Sequence, residues 1–170
     1  NTTEDSVSPG VAPGIRSPVV GVPANTSHTD FTRNVALTSA TVDDLPLRTI
    51  ATVGYEHIEE AGVNRTVIPS FFTTSRFNLD RHTNSGFAEL KSNPATGLIV
   101  RAGVRYDEVD LHGSHTSPSV GGRYLLPGTQ TTLKANYAEG FKAPSFFALG
   151  LSPILGGNPN LLPETNSNSE

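Results

Sequence analysis

The chain of 170 residues has the length of one domain, and its 35% hydrophobic and 16% charged residues are typical of a folded protein. Its net charge of −4 and its scattered Lys and Arg residues argue against nucleic acid as a partner. The absence of cysteine excludes disulfides, thiolate catalysis and cysteine-rich zinc sites. No apolar run approaches the roughly 18 residues of a membrane helix, so only strands remain for crossing a membrane.

The opening segment, residues 1–29, is rich in Pro, Gly, Ser and Thr. This composition contains too few large apolar groups to cover a core of its own. We therefore predict a long loop there.

Residues 30–141 alternate in polarity and are rich in Val, Thr, Tyr and Leu, which predicts antiparallel strands. In 98–107, Leu98, Val100 and Val104 fall on one face, and Arg101 and Arg105 fall on the other. Six strands are predicted, at residues 31–40, 47–56, 84–91, 98–107, 119–126 and 131–139.

The connections between these strands alternate in length. Short turns rich in Asp, Asn, Pro and Gly are predicted at 42–46, 92–96 and 127–130. Long connections are predicted at 59–83, at 108–118 and beyond Tyr137. Short turns at one rim and long loops at the other are typical of an outer-membrane β-barrel.

Two fold interpretations remain open on this pattern. The chain is all-β, either as part of a large transmembrane β-barrel or as a soluble antiparallel sheet that serves as a surface binding or adhesion module. Predicted segments of about ten residues favour the barrel, because globular strands are usually shorter. The absence of Trp favours the soluble sheet, since barrel girdles usually contain it.

The stretch NYAEGFKAPSF, followed by GNPNLLPE, carries a more specific signal. It resembles a signature of TonB-dependent outer-membrane receptors, and GFAEL, RAGVRYD and SPSVGGRYLL resemble the barrel segments that precede it in that family. The resemblance is specific over residues 84–170. The signature residues are Tyr137, Gly140, Phe141, Lys142, Ala143, Pro144, Ser145, Asn158, Pro159, Leu161, Pro163 and Glu164.

The resemblance implies a transport receptor rather than an enzyme, located in the outer membrane of a Gram-negative bacterium and in contact with its lipid. It implies uptake of a scarce ligand, such as a ferric siderophore, haem or a corrinoid, with energy delivered by TonB through parts outside residues 1–170. It also implies a plug domain inside the barrel. No cofactor is expected.

Physical reasoning on the signature predicts an ordered loop over residues 142–170, extracellular or lumen-facing. Pro144 lacks a backbone donor and biases Ala143 toward an extended conformation, so strand pairing should stop there. The apolar stretch 146–155 is expected to pack against the barrel wall, the plug or a neighbouring loop. Glu164 should lead toward a next strand that begins beyond Glu170. Since six strands leave unpaired edges in lipid, we expect the intact molecule to be larger.

Candidate binding residues are few. His112 and His115 in DEVDLHGSH are weak candidates for metal ligands. The simpler interpretation is that they are solvated residues of an outer loop. No nucleophile motif or phosphate-binding glycine loop is found. The charges expected to face the barrel lumen are Glu56, Arg101, Arg105, Arg123 and Lys134.

Overall fold

The computed structural model describes residues 2–10, 23–110, 112–153 and 156–170. Within these residues, eight strands form one antiparallel sheet whose order follows the chain. The strands are β1 (Thr2–Ser8), β2 (Asn25–Leu45), β3 (Thr49–Ile68), β4 (Thr73–Ala95), β5 (Leu98–Val109), β6 (Gly113–Leu125), β7 (Thr132–Lys142) and β8 (Glu164–Ser169).

Two short helices interrupt the strands. A 3₁₀ helix spans Pro69–Phe71, and α1 spans Phe146–Gly150. No helix in the described part of the chain has the length and apolar character needed to span a membrane.

The chain divides into two compact units. Unit 1 contains Asn1–Asn34, Glu59–Arg81 and Pro144–Leu162, and unit 2 contains Val35–Ile58, His82–Ala143 and Pro163–Glu170. In unit 1 the buried apolar side chains are Ile68, Phe77 and Phe146, and in unit 2 they are Ile58 and Val109, counted over the described residues.

The sheet of unit 2 has two chemically different faces. Val100, Val104 and Tyr106 in β5 are 38%, 45% and 47% exposed, whereas Asp107 is buried. Opposite residues of paired strands share a face, so the register extends both faces from β4 to β7. The apolar face carries Leu90, Leu98, Val100, Val104, Tyr106, Val120, Tyr124, Leu133 and Tyr137. The polar face carries Glu89, Lys91, Arg101, Arg105, Asp107, Arg123, Lys134 and Asn136.

The long connection predicted over 59–83 is wrong, because β3 continues to Ile68 and β4 already begins at Thr73. The reason is a buried network of polar side chains in unit 1. Asn64 Nδ2 donates to Ser27 Oγ at 2.6 Å and to Thr29 Oγ1 at 2.8 Å, and Thr66 Oγ1 donates to Asn64 Oδ1 at 2.8 Å. These hydrogen bonds make burial of a polar strand face favourable, which a search for alternating apolar residues misses.

The long connection predicted over 108–118 is also wrong. Strand β5 extends to Val109, and β6 begins at Gly113. Pro118 lies opposite Val104 in the β5 and β6 pair, and the pairing of β6 with β7 ends at Ser119. At Pro118, β6 therefore pairs only with β5. The sheet tolerates the missing N–H of proline at such a position, because β7 is not paired there.

The three predicted short turns are confirmed with small shifts. Strands β2 and β3 are separated by residues 46–48, β4 and β5 by residues 96–97, and β6 and β7 by residues 126–131. Leu47, which the alternation placed in a strand, instead lies in the first turn with a φ of 62°. The second turn contains Gly97 with a φ of 78°, where a side chain would be strained.

The opening segment differs from the predicted loop at both ends. Thr2–Ser8 forms β1, and β2 starts at Asn25. Strand β1 contains no large apolar cluster and is held by backbone pairing with β2 and by polar contacts, such as Thr3 Oγ1 to Asp30 Oδ1 at 2.6 Å. The central part of the predicted loop, residues 11–22, lies outside the described residues.

The strand expected beyond Glu170 is present within the chain. Strand β8 starts at Glu164, directly after Pro163, and pairs with β7 so that Glu164 lies opposite Lys142. The position was missed because ETNSNS has no apolar alternation, and backbone pairing alone defines this strand.

Candidate functional site

The first half of the signature ends a strand. Tyr137, Gly140, Phe141 and Lys142 lie in β7, which stops at Lys142, as Pro144 predicted. A Cβ atom at Gly140 would collide with the side-chain oxygen of the paired residue in β8. The glycine of the signature therefore lets the two strands pair closely.

The same signature then starts α1. Ser145 is extended, with φ −71° and ψ 154°, and its side-chain oxygen accepts a hydrogen bond from the backbone N–H of Ala148 at 3.2 Å. This is the N-cap arrangement that serine favours. Ala143 and Pro144 form the link between β7 and this cap.

Helix α1 docks by its phenylalanines onto the strands of unit 1. Phe146 is only 7% exposed, and its ring meets that of Phe31 edge to face at 6.0 Å. Phe147 meets Phe77 in the same way at 5.8 Å. A pocket of about 190 Å³ remains beside these rings, lined by Thr29, Phe31, Glu60, Gly62, Phe77, Arg81, Ser145, Phe146 and Phe147. Of the three surfaces expected to receive the stretch 146–155, the structure shows strands, through Phe31 and Phe77. Ile154 and Leu155 fall outside the described residues.

Arg81 connects β4 to Pro144 of the signature. Its Nη1 donates to the carbonyl oxygen of Pro144 at 2.7 Å, and its Nε donates to Glu60 Oε2 at 2.9 Å. The guanidinium carbon lies 4.9 Å from the centroid of the Phe146 ring. The Arg81 and Glu60 side chains are 14% and 13% exposed, so this ion pair is largely shielded from water.

The second half of the signature closes the loop. The backbone N–H of Asn158 donates to the carbonyl of Ala148 in α1 at 2.7 Å, and Asn158 Oδ1 accepts from the backbone N–H of Asn160 at 3.0 Å. Leu161 N–H donates to the Asn158 carbonyl at 3.3 Å. Pro159 follows Asn158 in this turn. The asparagine thus joins the turn to the end of the helix.

Unit 2 brings two of the predicted lumen charges together on its polar face. Arg105 Nη2 donates to Glu56 Oε1 at 2.8 Å, and Arg105 Nε donates to Asp107 Oδ1 at 2.8 Å. Ser85, only 1% exposed, donates its hydroxyl to the same Asp107 oxygen at 2.6 Å. Arg105 therefore links Asp107 of its own strand, β5, to Glu56 of β3, which lies two strands away in the sheet.

The other three predicted charges meet in a separate cleft. Arg101, Arg123 and Lys134 line an open cleft of about 490 Å³ together with Lys91. The remaining lining residues are Ile99, Gly121, Gly122 and Asn136. We call this feature the basic cleft, because its four ionisable side chains are all cationic.

The order of strands, the separation of faces and the signature loop can be compared with a known family. A family model described as TonB dependent receptor-like, beta-barrel matches residues 2–170. The chain belongs to this family of TonB-dependent receptor β-barrels. Comparison with curated proteins and with solved structures gave no match. The family match also covers the part of the receptor chain before residue 84, where the sequence offered no specific motif.

His112 and His115 do not form a metal-binding group of three or more side chains in the described part of the receptor chain. His112 lies in the turn between β5 and β6, and its backbone N–H donates to the carbonyl of Val109 at 3.1 Å. The His115 ring stacks on Phe141 at 4.9 Å with an interplanar angle of 17°. Its contact with a signature phenylalanine indicates a packing role for His115.

Several residues that form these sites were not expected from the sequence. Glu60, Gly62, Phe77 and Arg81 fell inside a predicted loop, so no pattern assigned them to a face. Lys91 could have been predicted as a residue of the basic cleft, because it lies at the end of a predicted strand and opposite Arg101 in the pairing of β4 with β5. A search for cations in register across hairpins, rather than along one strand, would have found it.

Proposed function

We propose that the chain forms part of the barrel wall of an outer-membrane transport receptor. The receptor takes up a scarce ligand, such as a ferric siderophore, haem or a corrinoid, and uses energy delivered through TonB. The observation that carries this proposal is the family match over residues 2–170. Receptors of this family are transporters of outer membranes, so we propose transport and not catalysis for this chain.

The exposed apolar face of unit 2 supports a membrane position. A soluble sheet would cover Val104, Leu133 and Val120 with a core, yet these side chains are 45%, 56% and 56% exposed. Strands β5, β6 and β7 have 12, 13 and 11 residues, enough for a tilted strand to cross the hydrocarbon layer. We assign the apolar face to lipid and the polar face to the barrel lumen.

The eight strands form an open order from β1 to β8, with no β1 to β8 pairing among the described residues. An open edge in lipid leaves backbone groups without partners. We therefore propose that further strands complete the barrel. Transporters of about 22 strands have a plugged lumen rather than an open pore, and a plug there would contact the polar face.

We propose that the signature has a structural role. We propose that the outer loops recognise the ligand. Arg81, Glu60 and the aromatic rings around Phe146 hold the segment after β7 against the wall. The Glu60 carboxylate accepts a hydrogen bond from Arg81, and the Ser145 hydroxyl accepts one from the backbone of α1, so both polar groups serve this anchoring.

The proposal is tested in a Gram-negative host that expresses the full-length receptor. We expect the protein in the outer-membrane fraction, extracted only by detergent and with a gel mobility that changes on heating. Growth under ligand limitation, with siderophore, haem and corrinoid supplied separately, should depend on the receptor for one ligand class. The matched control is a host without TonB, where this dependence should disappear.

Each alternative outcome is informative. A protein that is soluble without detergent and unchanged by heating contradicts the barrel assignment. Receptor-dependent growth that persists without TonB contradicts the proposed energy source and leaves the barrel assignment intact.

A further inference from the structure

Two histidines of unit 2 lie side by side on neighbouring strands. His57 belongs to β3 and His82 to β4, and these strands are adjacent in the sheet. Their imidazole rings stack with centroids 6.1 Å apart and an interplanar angle of 14°. Ring nitrogens of the two residues lie within 4.8 Å of each other. The sheet therefore brings two metal-ligating groups together from distant parts of the sequence.

Asn84 fixes the orientation of the His57 ring. The side-chain oxygen Oδ1 of Asn84 accepts a hydrogen bond from the Tyr55 hydroxyl at 2.6 Å, and His57 Nδ1 lies 2.8 Å from the same oxygen. Because an amide oxygen only accepts, His57 Nδ1 is the donor and carries a proton. In the neutral ring the lone pair then lies on Nε2, where a metal ion can bind. A hydrogen bond that fixes the tautomer in this way is usual for histidines that ligate metals.

The backbone of His82 is held in place by Asp110. Its N–H donates to Asp110 Oδ2 at 3.1 Å, and its carbonyl oxygen accepts from the Asp110 N–H at 3.1 Å. Two nitrogens bound to one tetrahedral zinc ion are about 3.3 Å apart, because each Zn–N distance is about 2.0 to 2.1 Å. Closing 4.8 Å to that separation shifts a nitrogen by about 1.5 Å. His82 is exposed, so rotation of its ring supplies this shift while the backbone stays fixed.

The histidine pair lies on the apolar face of unit 2, at the end of its apolar side chains. Asn84 lies opposite Glu108, which shares a face with Tyr106 because the two are separated by two positions in β5. His82 precedes Asn84 by two positions in β4 and lies on that face too. The His57 ring contacts both of these residues of β4. The pair is therefore on the opposite side of the sheet from the basic cleft.

We propose that His57 and His82 bind one divalent transition-metal cation of the class that imidazole prefers, represented by Zn²⁺. The two imidazoles supply two ligand positions, and water or a carboxylate supplies the others. The bound ion joins β3 to β4 and stabilises the folded receptor, because binding requires both rings in place. Under the proposed function this face is turned away from the lumen, so the cation is distinct from a transported ligand. Binding itself depends on the strand pair and not on transport.

Electron paramagnetic resonance of bound Cu²⁺ tests this on the full-length receptor, purified in detergent without a histidine tag. Cu²⁺ binds nitrogen ligands more tightly than Zn²⁺ does. Its spectrum is split by each coordinated nitrogen, so the number of imidazoles on one ion can be counted. We expect two imidazole nitrogens at one equivalent of Cu²⁺. Excess Zn²⁺ should displace the copper and remove this spectrum.

Substitutions assign the spectrum to residues. His57→Gln and His82→Gln should each abolish the two-nitrogen spectrum. The matched control is His112→Gln, which removes a histidine of the β5 and β6 turn and should leave the spectrum unchanged. Asn84→Leu keeps both histidines but removes the acceptor of His57, and should weaken Zn²⁺ binding by about 10- to 100-fold in calorimetry. Asn84→Asp keeps an acceptor and should restore binding.

Three results would overturn the inference. The first is a wild-type receptor that shows no two-nitrogen spectrum, or whose copper is not displaced by Zn²⁺. The second is a two-nitrogen spectrum that persists in either histidine variant, because that histidine is then not a ligand. The third is unchanged Zn²⁺ binding in Asn84→Leu. Fractionation and heat modifiability, measured on the same preparations, show whether each variant is folded and report failure of the barrel assignment separately.

Discussion

The guanidinium of Arg81 lies over the ring of Phe146, 4.9 Å from its centroid, and thereby ties a barrel strand to the first residue of α1. The same side chain donates a hydrogen bond to the Pro144 carbonyl at 2.7 Å. One residue of β4 therefore holds both the proline that ends a strand and the phenylalanine that begins the helix.

Arg81→Gln should destabilise the receptor by about 3 kcal/mol, because it leaves the largely shielded Glu60 carboxylate without its main partner. Arg33→Gln is the matched control. Arg33 Nε lies 3.9 Å from the same carboxylate, but its side chain is 52% exposed, so we expect a loss below about 1 kcal/mol. Equilibrium unfolding in detergent measures both. Equal losses in the two variants would contradict the anchoring role of Arg81.

Gly62→Ala should displace Phe146, since the new Cβ would lie 2.5 Å from the ring atom Cδ2. Overpacking of this kind costs roughly 1–3 kcal/mol. Gly86→Ala is the control, because its new methyl group would meet no atom within 4 Å beyond its neighbours in the chain. Limited proteolysis between residues 145 and 153 should accelerate only in Gly62→Ala. Unchanged cleavage there would show that α1 tolerates the added methyl group.

Asp107→Ala should remove the acceptor shared by Ser85 and Arg105 and leave a buried hydroxyl without a partner. The expected loss in unfolding free energy is about 2–3 kcal/mol. Glu108→Ala removes the neighbouring carboxylate, which is exposed and on the opposite face, and should change stability by less than about 0.5 kcal/mol. Similar losses at both positions would mean that the network contributes little.

The β1 and β2 pair should be sensitive to pH through His28. A hydrogen bond to Asp5 at 2.6 Å, and that carboxylate's charge, raise the pKa of His28 above its ordinary value of 6.5, with a smaller contribution from Asp30. Because the folded pKa is raised, the stabilisation is fully present below about pH 6.5 and is lost as pH rises through the folded pKa. NMR titration of the His28 ring measures this. Asp5→Asn should lower the pKa of His28 more than Asp30→Asn does, and the reverse order would contradict the assignment.

Labels on the two faces of unit 2 should meet different surroundings. The chain contains no cysteine, so Val104→Cys and Ser119→Cys each provide a single site for a nitroxide. In a bilayer, the label at Val104 should collide mainly with dissolved oxygen, which concentrates in lipid. The label at Ser119 should collide mainly with a water-soluble nickel chelate. Electron paramagnetic resonance distinguishes the two, and equal accessibility would argue against a lipid-facing apolar surface.

Much of unit 2 follows from the sequence. The alternation in 98–107 predicted β5 correctly from its first residue, Leu98, because successive side chains on a strand point to opposite faces of the sheet. Asp, Asn, Pro and Gly marked the short turns, and Pro144 marked the end of β7, because these residues restrict or release the backbone locally. A search for alternating apolar residues missed strand segments of unit 1, because Asn64 and Thr66 are polar residues on a buried face.

The sequence by itself determined the all-β class, the two faces of the central strands, the turns and the family signature, because these depend on neighbours in the chain. Only the tertiary structure decided that Glu60, Arg81 and Phe146 meet, and that Lys91 joins Arg101, Arg123 and Lys134 in one cleft. Such contacts depend on strand register, and a slip of one residue would turn every side chain to the other face.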